Sequence, residues 1–168
     1  MPILQPLKIK RKNTALQHNF LEKNANTISI HRSLVRKEST QMKKEKLEIE
    51  YPLKSTSINI LWNTIGTSHG LSEWFSNDVN TAGNRYIFTW DNYDQSAQLL
   101  KIKPLEYIRF QWEDDENTDY YFELRILKHE LSGDLSLLVT EFVEPEDKDD
   151  EVLLWDKHID DLRRKLGV

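Results

Sequence analysis

The chain has 168 residues, of which 38% are hydrophobic and none is cysteine. This length corresponds to about one domain, and the lack of cysteine excludes disulfide bonds and thiolate chemistry. No apolar run approaches the roughly 18 residues that a membrane-spanning helix needs, so we expect no membrane span. The basic N-terminus has no apolar stretch behind it, so we expect no secretory signal and a cytoplasmic location.

Charge divides the sequence into two segments. Residues 1–41 carry 8 basic and 2 acidic side chains, a net charge of +6. Residues 42–168 hold the other 15 of 23 basic and 26 of 28 acidic side chains, a net charge of −11. Because binding a polyanion needs clustered Lys and Arg, the acidic segment predicts no nucleic-acid partner. The scattered cations of residues 1–41 are typical of a solvated tail, with contact to RNA or anionic lipid as the alternative.

The first 41 residues show no sustained hydrophobic period, so we expect disorder or weak structure there. Met42 comes just before the first clean strand pattern and is a candidate start of the native protein. We therefore expect a basic N-terminal extension over residues 1–41 and one folded domain over residues 42–168.

The folded segment begins with a strand, in which Leu47, Ile49 and Tyr51 alternate with glutamates until Pro52. Ser55 or Thr56 is placed to cap a short helix that ends at Gly66, and a second short helical piece follows over residues 71–75. Five strand patterns separated by tight turns come next, over residues 85–91, 98–103, 107–113, 119–130 and 135–144. Consecutive strands with short loops predict an antiparallel meander.

The last segment, residues 149–168, predicts a long amphipathic helix. Its apolar residues recur at steps of three and four, at Val152, Trp155, Ile159, Leu162 and Leu166. Acidic residues at its start and basic residues at its end match the helix dipole. Because this stripe must be buried, the predicted fold class is α+β: a curved antiparallel sheet of about six strands wrapped around a long C-terminal helix, with two short helices after the first strand.

Several short motifs resemble one known family. They are Ile60-Leu61-Trp62 with Ser72-Glu73-Trp74-Phe75, the segment Ala82 to Phe88, Lys103 to Ile108 with Trp112, and Leu154-Trp155 with His158-Ile159, Leu162 and Leu166. In order and spacing they resemble the helix-grip fold of the START-like (SRPBCC, Bet v-like) superfamily. The nearest branch is named after the activators of the heat-shock-protein ATPase. The likeness covers residues 44–168 and has one departure, since the family's Gly-Gly-Thr before its last strand stands here as Ser132-Gly133-Asp134.

The resemblance implies a hydrophobic cavity between the sheet and the terminal helix. Members of the family bind lipids, polyketides or other apolar ligands. Some members act as co-chaperones and some as aromatase-cyclases. The candidate lining consists of large, mostly aromatic residues: Trp74, Tyr86, Phe88, Trp90, Phe110, Trp112, Tyr120, Phe122, Trp155 and Ile159. Tyr86 and Tyr120 would offer hydroxyls to a ligand. Ordinary core packing is the alternative, because aromatic residues dominate interiors in any case.

Polar residues give weaker signals. Arg85, Arg109, Glu123 and Arg125 lie on predicted strands, where cross-strand ion pairs on the outside are one interpretation and an inward Arg facing a ligand carboxylate is the other. The five histidines are dispersed, and no zinc signature, phosphate-binding loop or nucleophile elbow is present in the sequence. The acidic stretches lack the EF-hand order. We therefore expect no metal, no cofactor and no catalytic residues.

Three functions follow from these observations. The leading hypothesis is a module that binds an apolar small molecule or lipid. The alternative is a chaperone-linked protein-interaction module that uses the acidic surface. The third is an enzyme of the cyclase or hydrolase kind, for which the sequence pairs no nucleophile with a base.

Overall fold

The computed structural model of the protein describes residues 43–91 and 93–168. The expectations for residues 1–41, and for Met42 as a start, lie outside the described residues. The elements in the described part are, in chain order, β1 (Glu45–Leu53), α1 (Ile58–Ile65), α2 (Ser68–Ser72), β2 (Asp78–Ala82), β3 (Arg85–Trp90), β4 (Tyr93–Lys103), β5 (Tyr107–Trp112), β6 (Phe122–Lys128), β7 (Leu135–Val143) and α3 (Lys148–Leu166). Single 3₁₀ turns at Glu113–Asp115 and Pro145–Asp147 follow β5 and β7.

The described strands form one seven-stranded antiparallel sheet in the order β1-β7-β6-β5-β4-β3-β2. The α+β class and the meander are confirmed, with one strand more than predicted. The additional strand is β2, which pairs with β3 at the edge of the sheet. The register also places β1 beside β7, with Ile49 opposite Val139, so the first strand closes against the last one.

The two faces of the sheet differ in what covers them. Along β7, Leu137, Val139 and Glu141 point to one face, which we call the inner face, and Leu138 and Phe142 point to the outer face. Helix α3 lies on the inner face and buries its apolar stripe there, with Trp155, Ile159 and Leu162 all 3% exposed or less. The prediction that the terminal helix covers the sheet is therefore confirmed.

The two short helices close one side of the interior. Ser57, rather than the predicted Ser55 or Thr56, caps α1, because its side chain accepts a hydrogen bond from the Ile60 N–H. Helix α2 then packs directly on the end of α1 at Gly70. A Cβ atom there would lie 2.2 Å from the backbone oxygen of Asn63, so only glycine permits this approach.

Helix α3 has the boundaries that its charges indicate. Asp149, Asp150 and Glu151 occupy its first turn and basic residues its last. Gly167 ends it in the left-handed conformation, with φ of 74°, and donates its N–H to the Arg163 carbonyl. Within residues 43–91 and 93–168, no helix is both long enough and apolar enough to cross a membrane.

Candidate functional site

The interior between the sheet and α3 contains a group of aromatic side chains that contact one another. We call it the aromatic cluster, and each member is 8% exposed or less. Its members come from the turn after α2, from the three strands β3, β5 and β6, and from α3: Trp74, Phe75, Phe88, Trp90, Phe110, Trp112, Phe122 and Trp155. The structure thus brings together seven of the ten predicted lining residues.

Phe75 lies at the centre of the aromatic cluster, although the sequence analysis did not include it in the lining. Its ring stacks on Trp155 at 5.6 Å between centroids and meets Phe88 edge-on at 5.4 Å. It also lies within 6.1 Å of both Trp90 and Phe122. The Trp-Phe pair that closes the second helical piece was the signal that would have indicated this residue. Phe75 therefore connects α3 to strands β3 and β6.

The strand side of the aromatic cluster is closely packed. Phe122 stacks on Trp112 at 4.6 Å and on Phe110 at 4.9 Å between ring centroids. Phe88 lies edge-on to Phe110 at 5.8 Å and to Trp112 at 5.5 Å. Such aromatic pairs add roughly 0.5–1.5 kcal/mol each beyond the burial of their surface. These contacts are those of a well-packed core, and the cavity itself remains a prediction.

The other three predicted residues lie in different surroundings. Ile159 is fully buried on α3, within the same core. Tyr86 is half-buried, with its ring 4.9 Å from that of Phe110, and burial raises the pKa of its hydroxyl. Tyr120 lies apart: its ring contacts Phe142 on the outer face, and its hydroxyl accepts a hydrogen bond from the Lys44 N–H. The strand alternation that grouped Tyr120 with the lining does not extend back to it, because β6 begins only at Phe122.

Three polar contacts hold α3 on the inner face. The Trp155 indole Nε1 donates to the Glu141 Oε1 at 2.6 Å, in a buried hydrogen bond. The Tyr51 hydroxyl donates to Asp156 Oδ1 at 2.8 Å, and burial, followed by this bond, raises the pKa of Tyr51 well above its ordinary value. At the other end Lys165 pairs with Glu73, which lowers the pKa of that carboxyl. The helix is thus attached to β7, to β1 and to the turn after α2.

One polar side chain of the interior has an unsatisfied group. Gln95 is 7% exposed on the inner face of β4, and its Oε1 is buried with no hydrogen-bond partner. In the register it lies opposite Phe88, whose ring belongs to the aromatic cluster. Sequence analysis did not single it out, because a lone glutamine in a strand carries no recognisable pattern.

The predicted ion pairs lie on the outer face, as the first interpretation had them. Arg109 and Arg125 each donate from Nε to the buried Glu123 carboxylate at 2.7 Å. Tyr107 and Tyr121 lie under the two guanidinium groups, at 4.1 Å from Arg125 and Arg109 respectively. Arg85 pairs with Glu113 in an exposed position. None of these three arginines faces the aromatic cluster, so the inward carboxylate-binding interpretation is wrong for them.

A serine, a histidine and a glutamate also meet on the outer face. His129 Nε2 lies 2.7 Å from Ser136 Oγ and 3.2 Å from Glu50 Oε1. A hydrolytic triad needs the serine on one imidazole nitrogen and the carboxylate on the other. Here both contacts use the same nitrogen, and Ser136 is fully buried. This group therefore stabilises the β6–β7 hairpin and β1 rather than forming a nucleophile. Within the part of the chain that the structure covers, there is no group of metal-binding side chains.

A twisted antiparallel sheet that wraps one long C-terminal helix, with two short helices after its first strand, defines the helix-grip class of α+β domains. The sequence profile of the START-like superfamily domain matches residues 41–168, and the chain belongs to this superfamily. None of the curated proteins matches it in sequence.

Solved structures agree with this assignment. A protein from Bacteroides fragilis, solved by NMR, is 42% identical to this chain over 74% of it and 92% of that protein, with a TM-score of 0.54. The Aha1 dimer from Colwellia psychrerythraea matches 74% of this chain and 97% of its own at 15% identity, with a TM-score of 0.60. DynU16, from the dynemicin biosynthetic locus, matches 73% of this chain and 47% of its own at 11% identity, with a TM-score of 0.61. The last two likenesses concern the fold alone, and the fold supports a binding or interaction module.

Proposed function

We propose that the protein binds a small apolar molecule, a lipid or an aromatic compound, between the inner face of the sheet and α3. The observation that carries the proposal is the aromatic cluster, which collects eight large rings from three strands, α3 and the turn after α2 on one side of one sheet. Aromatic and apolar walls with a few polar groups are typical of small-molecule sites. The proposed function requires no catalytic step.

Native mass spectrometry of protein purified from its own host tests this proposal. We expect a bound small molecule that denaturation releases, and a higher melting temperature with at least one member of a panel of fatty acids and aromatic compounds. Retention of no small molecule, together with no stabilisation by any member of the panel, would contradict the proposal.

A pair of neighbouring variants locates the site. Ala97→Leu adds bulk on the inner face, where Ala97 is fully buried opposite Trp112, and should weaken binding of any ligand found. Gln98→Leu is the matched control, because Gln98 is exposed on the other side of the same strand, opposite Gln111. Equal effects of the two substitutions on affinity would place the ligand outside the interior.

The acidic balance of residues 42–168 supports a second candidate, a chaperone-linked protein-interaction module of the kind that activates a heat-shock-protein ATPase. This function would use the surface and leave the interior closed. Its test is binding to the purified chaperone ATPase of the same host. Binding should weaken as NaCl rises from about 0.05 M to about 0.5 M, since salt screens exposed charges. Binding that salt does not change, or no binding at low salt, would contradict it.

A further inference from the structure

The Gln95 side chain lies where three strands place large rings around it. Its register partner on β3 is Phe88, and its neighbours two positions away on β4 are Tyr93 and Ala97. The same pairing places Trp90 opposite Tyr93, and Ala97 lies opposite Trp112 on β5. Side chains at such direct and diagonal positions lie within contact range of long residues. The amide therefore projects among aromatic rings, with the methyl group of Ala97 as its smallest neighbour.

The missing hydrogen bond to the Gln95 amide oxygen is unusual for a buried polar group. Gln95 is more than nine-tenths buried, yet its Oε1 accepts no hydrogen bond. It is the one such atom among the side chains that the structure describes. A buried acceptor without a partner destabilises a protein, because it has lost its hydrogen bonds to water. Native structures pair nearly all such groups, so an exception calls for a partner that binds there.

Two indole N–H groups of this interior already have other partners. The indole Nε1 of Trp90 donates to the Phe75 carbonyl at 2.8 Å, and that of Trp74 donates to the Thr64 carbonyl at 3.1 Å. The charged pair Arg109 and Glu123 lies on the outer face of the sheet. The Gln95 Oε1 is a buried neutral acceptor that has no partner, which suits a hydroxyl or amide donor and not a carboxylate.

We propose that Gln95 is a specificity-determining residue, whose Oε1 accepts a hydrogen bond from the hydroxyl group of an aromatic ligand. This inference rests on the proposed function and narrows it from apolar ligands in general to hydroxylated aromatic ones. The rings beside Gln95 supply flat apolar surfaces for the ligand ring, and the amide fixes its orientation. Fatty acids are disfavoured, because their carboxylate offers no donor to this oxygen.

Two probes that share one ring system test the inference. They are 2-naphthol, which carries a hydroxyl donor, and 2-methoxynaphthalene, which does not. Dissociation constants for the full-length chain are measured by calorimetry. We expect 2-naphthol to bind at least about tenfold more tightly than 2-methoxynaphthalene, because only its hydroxyl donates a hydrogen bond to Gln95 Oε1. A tenfold difference in dissociation constant corresponds to about 1.4 kcal/mol. In Gln95→Met, which keeps similar bulk without the acceptor, the preference should disappear while the affinity for 2-methoxynaphthalene stays within about twofold.

The stability of the ligand-free protein gives a second readout. Removal of an unsatisfied acceptor should raise the melting temperature of Gln95→Met by roughly 3 °C or more. A lower melting temperature would overturn the inference, because it would mean that an ordered water or a protein group already satisfies the amide. Gln98→Met, at an exposed position three residues further along the same strand, is the control for methionine in β4 and should change neither readout.

The outcomes separate this inference from the proposed function. Equal affinity of the wild-type chain for both probes would overturn the role of Gln95 and leave an apolar binding site in place. A preference for 2-naphthol that persists in Gln95→Met would also overturn it. Binding of neither probe would overturn it together with the proposed function for aromatic ligands. The comparison of the two probes on the wild-type chain stands even where the variant fails to fold.

Discussion

Replacement of Trp155 by Phe should weaken the attachment of α3 to the sheet more than the smaller ring alone would. The substitution removes the indole N–H that donates to Glu141 at 2.6 Å, where Trp155 is 3% and Glu141 6% exposed. A hydrogen bond to a charged group contributes about 1.5–3 kcal/mol, and this pair is too buried for water to replace it well. The lost ring area adds about 1 kcal/mol. We expect a decrease of about 2.5–4 kcal/mol in the free energy of unfolding, a large part of the roughly 5–15 kcal/mol of a typical domain.

A double-mutant cycle with Glu141→Leu isolates the hydrogen bond from the change in ring size. Urea unfolding, followed by circular dichroism, gives the free energy of unfolding of the wild type, of both single variants and of the double variant. The coupling between the two positions should be about 1.5–3 kcal/mol. A coupling within about 0.5 kcal/mol of zero would refute the reasoning, since Trp155 would then stabilise the protein through ring packing alone.

Three further perturbations follow from the contacts described above. Burial raises the pKa of the Tyr51 hydroxyl, so the unfolded chain loses this proton first, and wild-type stability should fall as pH rises above about 10, the ordinary tyrosine pKa. In thermal unfolding between pH 8 and 11, Tyr51→Phe should flatten that fall, and an unchanged slope would contradict the prediction. Glu123→Gln should reduce the free energy of unfolding in urea by about 1–2 kcal/mol, because Arg109 and Arg125 lose their buried carboxylate partner. The loss is limited because the two arginine side chains are 32% and 30% exposed, and no change at all would show that solvent already satisfies them. Phe75→Ala should lower the free energy of unfolding by about 3–5 kcal/mol and reduce the fluorescence anisotropy of the tryptophans around it. A decrease in the free energy of unfolding below about 1 kcal/mol would contradict its central place in the aromatic cluster.

The sequence indicated the fold where the signal was local. The spacing of Trp155, Ile159 and Leu162 predicts one face of a helix from residues a few positions apart, and the structure buries that face. Strand β2 carried no such signal. Over Asp78–Ala82 only Val79 is buried, and an edge strand of five residues with one apolar position does not show a hydrophobic alternation. Its pairing with β3 decides its conformation, and that contact is not local.

The candidate site was predictable only in part, for a related reason. Strand alternation correctly placed Phe88, Trp90 and Trp112 on one face, because a strand fixes the side of every second residue. Tyr120 lies apart from the aromatic cluster, and β6 begins three residues later than the pattern indicates. Gln95 could not be found at all. Whether a buried amide has a partner depends on side chains from neighbouring strands, and a single sequence does not specify those distances.

The packing of the aromatic cluster limits how a ligand enters. A flat ring inserted between two others needs their planes about 7 Å apart, twice the roughly 3.5 Å of a carbon–carbon contact. Phe122 lies 4.6 Å from Trp112 and 4.9 Å from Phe110 between ring centroids, so no ligand fits between these pairs as they stand. A ligand must therefore bind beside the stacked rings, next to Gln95 and the small side chain of Ala97. Some part of the wall must move to admit it. Because α3 is the element that closes this face, opening the interior at α3 would break its hydrogen bonds to Glu141 and Tyr51 as well as the stacking of Trp155 on Phe75.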